Sequence, residues 1–314
     1  GVIIDAKKGY ILTNHHVIED ATDIAVTLSD RRVFTAKVIG SDEGTSLSPF
    51  GMAADRRGAH PASDGCADPA AKPFLEVQGL CVRGDRGTMA VDRLSLAVRP
   101  GEILGVAGVS GNGQRELVEA IVGQRPRHSG QVRVLGQAYH ATRVQNRELK
   151  LRSLPEEPLR NGCVASMSVA ENMALRDFDV SPMSRSGLLR TSLWRERASQ
   201  WIAEYGIKAQ GPGSAIRSLS GGNVQRAVLA RELAGEINVL IAMNPVFGLD
   251  FAAVREIHER ILQVRQHGGA VLLISEDLDE LLELADRIVV MSDGRVVHET
   301  PAGIAQRHVL GAYM

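Results

Sequence analysis

The sequence predicts an α/β fold built on a mainly parallel sheet, and three observations carry that prediction. From Leu75 onward, short apolar runs alternate with amphipathic stretches of helical length, the pattern of strands joined by crossover helices. One apolar run, ILGVAG, passes through the glycine-rich stretch GVSGNGQRE (residues 108–116) straight into QRELVEAIVG. Ahead of that turn, LEVQGLCV and LSLAV read as an antiparallel β subdomain preceding the main sheet.

Taken in order, the strands fall at LEVQGLCV, LSLAV, ILGVAG, QVRVLG, INVLIAM, AVLLIS, RIVVM and RVVHE. The runs VLIAM and AVLLI are apolar throughout, as strands covered on both faces are. Helices fall at QRELVEAIVG, RERASQWIAEY, GNVQRAVLARELAG, AAVREIHERILQVRQH and LDELLELA, each alternating apolar and polar residues at helical spacing.

The first 50 residues differ. GVIID, YILTN, IAVTL and FTAKVIG read as short strands between turn-rich pieces, a small all-β unit. Residues 51–73 contain no Val, Ile, Leu or aromatic residue, too little apolar surface to order a chain, so they read as a flexible linker. Residues 74–314 then form the main domain. Lysine usage shifts across the seam: Lys7, Lys8 and Lys37 precede it, whereas only Lys150 and Lys208 lie beyond residue 74.

The 314 residues leave room for about two domains. A formal net charge of −1 provides no basic field for nucleic acid or anionic lipid. Cys66, Cys81 and Cys163 form no C-x-x-C pair and suit a reducing compartment. No apolar run approaches the roughly 18 residues of a membrane helix, and Gly1 opens inside a strand pattern without a charged-then-apolar leader.

The chemistry concentrates in two glycine-bearing stretches. Gly108, Ser110, Gly111, Asn112 and Gly113 follow the spacing of a phosphate-cradling loop, G-x-x-x-x-G-K-[ST], but Gln114 stands at the lysine position and Arg115 at the hydroxyl position. Backbone N–H groups and a helix N-terminus still make an anion site. The lysine and the magnesium-binding hydroxyl that neutralise a transferred phosphoryl group are missing. A second stretch, LSGGNVQR, opens a long helix with Leu219, Ser220, Gly221, Gly222, Asn223 and Gln225. By itself Ser220 reads as an N-cap; its hydroxyl and the two glycines would also let a phosphate approach closely.

The L-S-G-G-x-x-Q-R pattern ahead of an apolar strand resembles the signature of the ABC-type ATPases, and residues 75–314 follow that family's order of landmarks. VLIAMNP stands at the Walker B strand, with Met243 and Asn244 at its acid pair. FGLD ends in Asp250, at the D-loop aspartate. LLISEDLDELLELADRI carries Glu276 at the switch-histidine position, and LPEEPLRNG puts Glu156 or Glu157 near the Q-loop glutamine. GVAGVSGNGQ, NPVFGLD and ISEDLDEL resemble the C-terminal half of tandem ATP-binding subunits of simple-sugar and nucleoside importers. The resemblance implies a P-loop NTPase (ABC ATPase) fold with antiparallel β and helical subdomains. It implies ATP and Mg²⁺ as cofactors, a second ABC ATPase half and membrane permease subunits as partners, and a place on the cytoplasmic face of the plasma membrane. Such halves pair head to tail, so the loop at Gly108–Arg115 would not hydrolyse ATP, while the signature would complete the partner half's competent site.

Residues 1–46 resemble the start of HtrA/Deg-type trypsin-like serine proteases, in which His16 would be the catalytic base. A triad also needs a nucleophile and an orienting carboxylate. Ser46 stands at the aspartate position, and no G-N-S-G-G loop follows. The resemblance therefore implies a relic without activity. Two further readings stand beside the importer half: a serine protease resting on His16, and a fusion without function. The second is suggested by HtrA-type proteases often working outside the cytoplasm and ABC ATPases inside it.

Overall fold

The computed structural model describes residues 70–247, 249 and 251–314 (backbone alone at 251–252), together with the backbone of five strands between residues 2 and 53. The chain divides into two units, Gly1–Asp64 and Gly65–Met314.

In the first unit, β1 (Val2–Asp5), β2 (Tyr10–Asn14), β3 (Ile24–Thr27), β4 (Val33–Val38) and β5 (Leu47–Ala53) form an antiparallel sheet in the order β1-β2-β5-β4-β3. The four expected strands are there, and a fifth runs through the boundary read at residue 50. It pairs with β2 on one side and β4 on the other, and ladder hydrogen bonds to both neighbours outweigh the weak strand preference of its Pro49 and Gly51.

In the second unit, β6 (Leu75–Arg83) and β7 (Met89–Val98) pair antiparallel as expected, and β9 (Ser129–Val134), from beyond the glycine loop, and the unexpected β10 (Gln137–Ala138) extend them into a four-stranded antiparallel sheet. The main sheet has the order β11-β14-β15-β8-β16-β17, with β8 (Ile103–Ala107), β11 (Leu151–Leu154), β14 (Val239–Met243), β15 (Ala270–Ile274) and β16 (Arg287–Ser292) parallel and β17 (Arg295–Pro301) antiparallel at one edge. The edge strand β11 and the short hairpin of β12 (Ser184–Arg185) and β13 (Leu188–Leu189) were not expected.

Five helices match the expected ones: α1 (Gln114–Val122), α4 (Thr191–Glu204), α5 (Gly221–Glu232), α6 (Phe251–Gln266) and α7 (Leu278–Leu284). Three short ones were missed: α2 (Arg143–Glu148), α3 (Val169–Ala174) and α8 (Arg307–Tyr313). The start of α3 is fixed by a capping box, in which Ser168 Oγ accepts from the Glu171 N–H while the Glu171 carboxylate accepts from the Ser168 N–H at 2.7 Å.

The central strands are buried on both faces, and their alternation splits the core. Leu240 and Ala242 of β14 and Val271 and Leu273 of β15 join Val224, Ile257 and Ile261 on the helical side. Val239, Ile241, Leu272 and Ile274 join Leu117 and Ile121 of α1 and the antiparallel sheet on the other. Each of the Val, Leu and Ile side chains among them contributes roughly 1.5–3 kcal/mol when fully buried. That burial holds the carboxyl ends of β8, β11, β14 and β15 at one level.

Candidate functional site

In open parallel sheets a ligand cleft lies beyond the carboxyl ends of the strands, and here four strand ends converge. β8 delivers Gly108, β11 delivers Pro155 and Glu156, β14 delivers Asn244, and β15 delivers Ser275 and Glu276; all line one cavity of about 650 Å³. The register that sets them level pairs Leu154 with Ala242, Met243 with Ile274, and Ile274 with Val106.

The glycine loop forms the floor. Gly113 is the N-cap residue of α1 at φ 97°, with no side-chain cap, so the first N–H groups of the helix have no intrahelical partner and face the loop. A Cβ on Gly113 would stand 2.1 Å from the Ala90 carbonyl oxygen. Gly108, Ser110, Gly111, Gln114 and Arg115 line the cavity, whereas Asn112 faces the C-terminal strands, its side chain meeting the Met314 carbonyl and the Asp293 N–H.

The two substituted positions have specific fates. The Gln114 side chain is buried and folds back over the loop, donating to the Val109 carbonyl at 3.2 Å. Its Nε2 lies where a Gly108 side chain would start, 2.2 Å from a built Cβ. Arg115 turns toward the antiparallel subdomain and pairs with Asp85 at 2.7 Å and Glu116 at 3.0 Å. Hydrogen bonds from Arg125 and Arg115 hold the Asp85 carboxyl below its ordinary range.

The back wall contains no acid pair. Met243 and Asn244 are buried, and Asn244 sits at φ 43°. Its side chain donates to Glu156 at 2.8 Å and accepts from the Glu276 N–H at 3.1 Å. Glu156, not Glu157, therefore makes the contact across the cavity; Glu157 bonds Arg160 at 3.0 Å. The Glu276 side chain is exposed and lines the cavity. Beneath it, buried Glu280 accepts from Ser275 Oγ at 2.5 Å and meets His258 Nε2 at 3.1 Å, fixing the turn that carries Glu276.

The second glycine stretch lies elsewhere. None of Leu219–Gln225 lines this cavity. Ser220 and Gly221 are exposed. Ser220 occupies the N-cap position of α5, yet its side chain makes no capping bond; Oγ accepts from Asn223 Nδ2 at 2.7 Å. Asn223 in turn accepts from the Lys208 N–H at 2.7 Å, and buried Gln225 donates to the Pro245 carbonyl at 2.8 Å, tying the start of α5 to the loop after β14. Leu219 packs half-buried against the core, and a Cβ on Gly222 would meet Leu249 at 3.4 Å. His16 and Asp250 lie outside the described residues.

The loop and helix N-terminus fit the phosphates of ATP. At the positions where the resemblance expects ligands for Mg²⁺, Arg115, Met243 and Asn244 supply no anionic oxygen; Glu156 and Glu276 are carboxylates that line the cavity, and no cluster of three metal-ligating side chains exists among the described residues. No described helix is long and apolar enough to cross a membrane.

Residues 91–246 match the model of the ABC transporter family. The chain is 41% identical over 223 residues to the nucleoside import ATP-binding protein NupA of Lactococcus lactis subsp. cremoris, covering 71% of this chain and 44% of that protein. It is 37% identical to the guanosine import ATP-binding protein NupO of Bacillus subtilis, covering 74% and 45%. It is 32% identical over 304 residues to the ribose import ATP-binding protein RbsA of Corynebacterium glutamicum, covering 96% and 56%. The chain thus spans about half the length of these curated relatives. Its fold is shared with the dimeric ATP-binding cassette MJ0796 in a post-hydrolysis state with ADP and Pi, at a TM-score of 0.60 and 20% identity, covering 73% of this chain and 98% of that one. The matched region, the sheet order and the shared cassette fold identify the second unit as an ATP-binding domain of the ABC transporter family.

Proposed function

We propose that the second unit serves as the ATP-binding half of an importer for simple sugars or nucleosides, holding nucleotide at its own loop without hydrolysing it and completing a partner half's site through Leu219–Gln225. The observation that carries this reading is a division within one domain. Among the described residues the cavity over Gly108–Arg115 has no lysine, no hydroxyl at position 115, no strand-end acid pair and no histidine, whereas Ser220 and Gly221 are exposed and the Ser220 side chain makes no capping bond. Phosphoryl transfer depends on positioned charge, and only the partner's side of such a pair would supply it, with Mg²⁺ bound there. NupA, NupO and RbsA are each named as import ATP-binding proteins, which supports a role in import; on this reading a permease is the membrane partner and the cytoplasmic face of the membrane the place of work.

The test is ATP turnover by the purified chain, alone and after addition of a catalytically competent half. The proposal expects background turnover alone and a large gain on mixing. Steady magnesium-dependent turnover by the chain alone, lost on Ser110→Glu, overturns it.

For the first unit we propose a remnant of an HtrA/Deg-type protease without activity, because His16 has neither a nucleophile loop nor a carboxylate at Ser46. Casein hydrolysis that disappears on His16→Ala contradicts this.

A further inference from the structure

A second cavity, of about 240 Å³, lies between the edge strand β11 and helices α2 to α5, and six arginines line it: Arg143, Arg147, Arg152, Arg176, Arg197 and Arg231. Their acidic partners number half as many. Asp179 serves both Arg143 and Arg147, at 2.5 and 4.0 Å; Glu232, fully buried, serves both Arg176 and Arg231, each at 2.7 Å; Asp177 serves Arg197 at 2.5 Å. Arg152 has no ion-pair partner among the described residues, and its one hydrogen bond reaches the carbonyl of its neighbour Leu151 at 3.3 Å.

Arginine cannot shed its charge at physiological pH, and a buried cation without a counter-charge is costly. Burial pushes the Arg152 guanidinium below its ordinary range, with Glu232 opposing. The Nε atoms of Arg152 and Arg197 are buried and make no hydrogen bond. Arg197 is steadied by the face of Trp201, 4.7 Å from the ring centroid. The cavity is therefore lined by six guanidinium groups against three carboxylates, an excess of fixed positive charge on side chains whose fork geometry matches phosphate oxygens.

We propose that this cavity is a binding site for a small, multiply charged oxyanion of the phosphate class, separate from the glycine loop. Arg143, Arg176 and Arg231 line both cavities, so the two share a wall. The site does not depend on whether the glycine loop holds nucleotide.

The experiment is calorimetric titration of the full chain with pyrophosphate, repeated on Arg152→Met, Arg147→Glu and Ser110→Glu. The first variant removes the unpaired guanidinium, the second reverses a charge at the rim and leaves the buried pairs intact, and the third blocks the glycine loop. The proposal expects affinity to fall about tenfold or more in the two arginine variants, and a binding event of unchanged affinity to persist in Ser110→Glu. Binding abolished by Ser110→Glu alone would assign the anion to the loop and overturn the proposal. Undetectable binding in the unaltered chain overturns it as well. Failure of Arg152→Met and Arg147→Glu to associate with a permease that the unaltered chain binds, with no pyrophosphate binding, would assign the cavity to an acidic protein segment instead.

Discussion

The Asn244 side chain donates to the Glu156 carboxylate across the nucleotide cavity at 2.8 Å. Where the family resemblance expects a strand-end acid, the chain has an amide that bridges two loops, because the same side chain also accepts from the Glu276 N–H. At the strand end itself the back wall thus presents an amide in place of an acid, and the carboxylate that this amide holds is Glu156.

Asn244→Asp tests that bridge. The variant loses the donor and sets two carboxylates against each other in a half-buried cleft, at a cost of about 1–3 kcal/mol at pH 7. Lowering the pH lets the pair share a proton, so the loss shrinks toward pH 5. Chemical unfolding at the two pH values checks it; an equal loss at both contradicts the bridge.

The loop makes unequal demands on its glycines. Gly111 sits at φ 93° with open space around it, whereas Gly113 sits at φ 97° against the Ala90 carbonyl. Gly111→Ala should cost only the left-handed backbone penalty of about 1–2 kcal/mol. Gly113→Ala must also push the β7 backbone aside and should cost well above that. Unfolding midpoints of the two variants give the comparison, and equal losses would refute the packing described.

Glu232 is fully buried between Arg176 and Arg231. Burial alone would raise its carboxyl, but attraction from Arg231 and Arg176 outweighs that and holds it below the ordinary range. A depressed folded value means that its contribution is complete above the unfolded carboxylate pKa, near ~4.3, and is lost as pH falls through the folded value. Glu232→Gln should cost about 3–5 kcal/mol at pH 7 and flatten the decline in stability on acidification, measured as melting temperature against pH.

Much of this arrangement is legible in the chain. ILGVA, VLIAM and AVLLI are buried at every position, because strands covered on both faces must be apolar on both. β11 was not, since its central pair, Arg152 and Ser153, breaks the apolar run. It joins the sheet through backbone pairing with β14. The S-x-x-E box at Ser168 and Glu171 was a readable start for α3. The choice between Glu156 and Glu157 was not readable, because it turns on which one meets Asn244. Nor was the arginine cavity, whose members are spread from residue 143 to residue 231 and meet only in the fold.

The central claim is that the two glycine stretches serve different nucleotides, and one measurement tests it most directly. ATP turnover is compared in a complex of this chain with a competent partner half, for Ser220→Arg, Gly222→Asp, Gln114→Ala and Gln114→Lys. The account predicts a loss of about 100-fold or more for the two signature variants, which put bulk or negative charge where donors must reach the partner's phosphates. It predicts turnover close to the unaltered complex for the two Gln114 variants, with no second active site from the lysine, because Met243, Asn244 and Glu276 are unchanged. Equal tolerance of signature and loop substitutions, or a gain of turnover in Gln114→Lys, would contradict it.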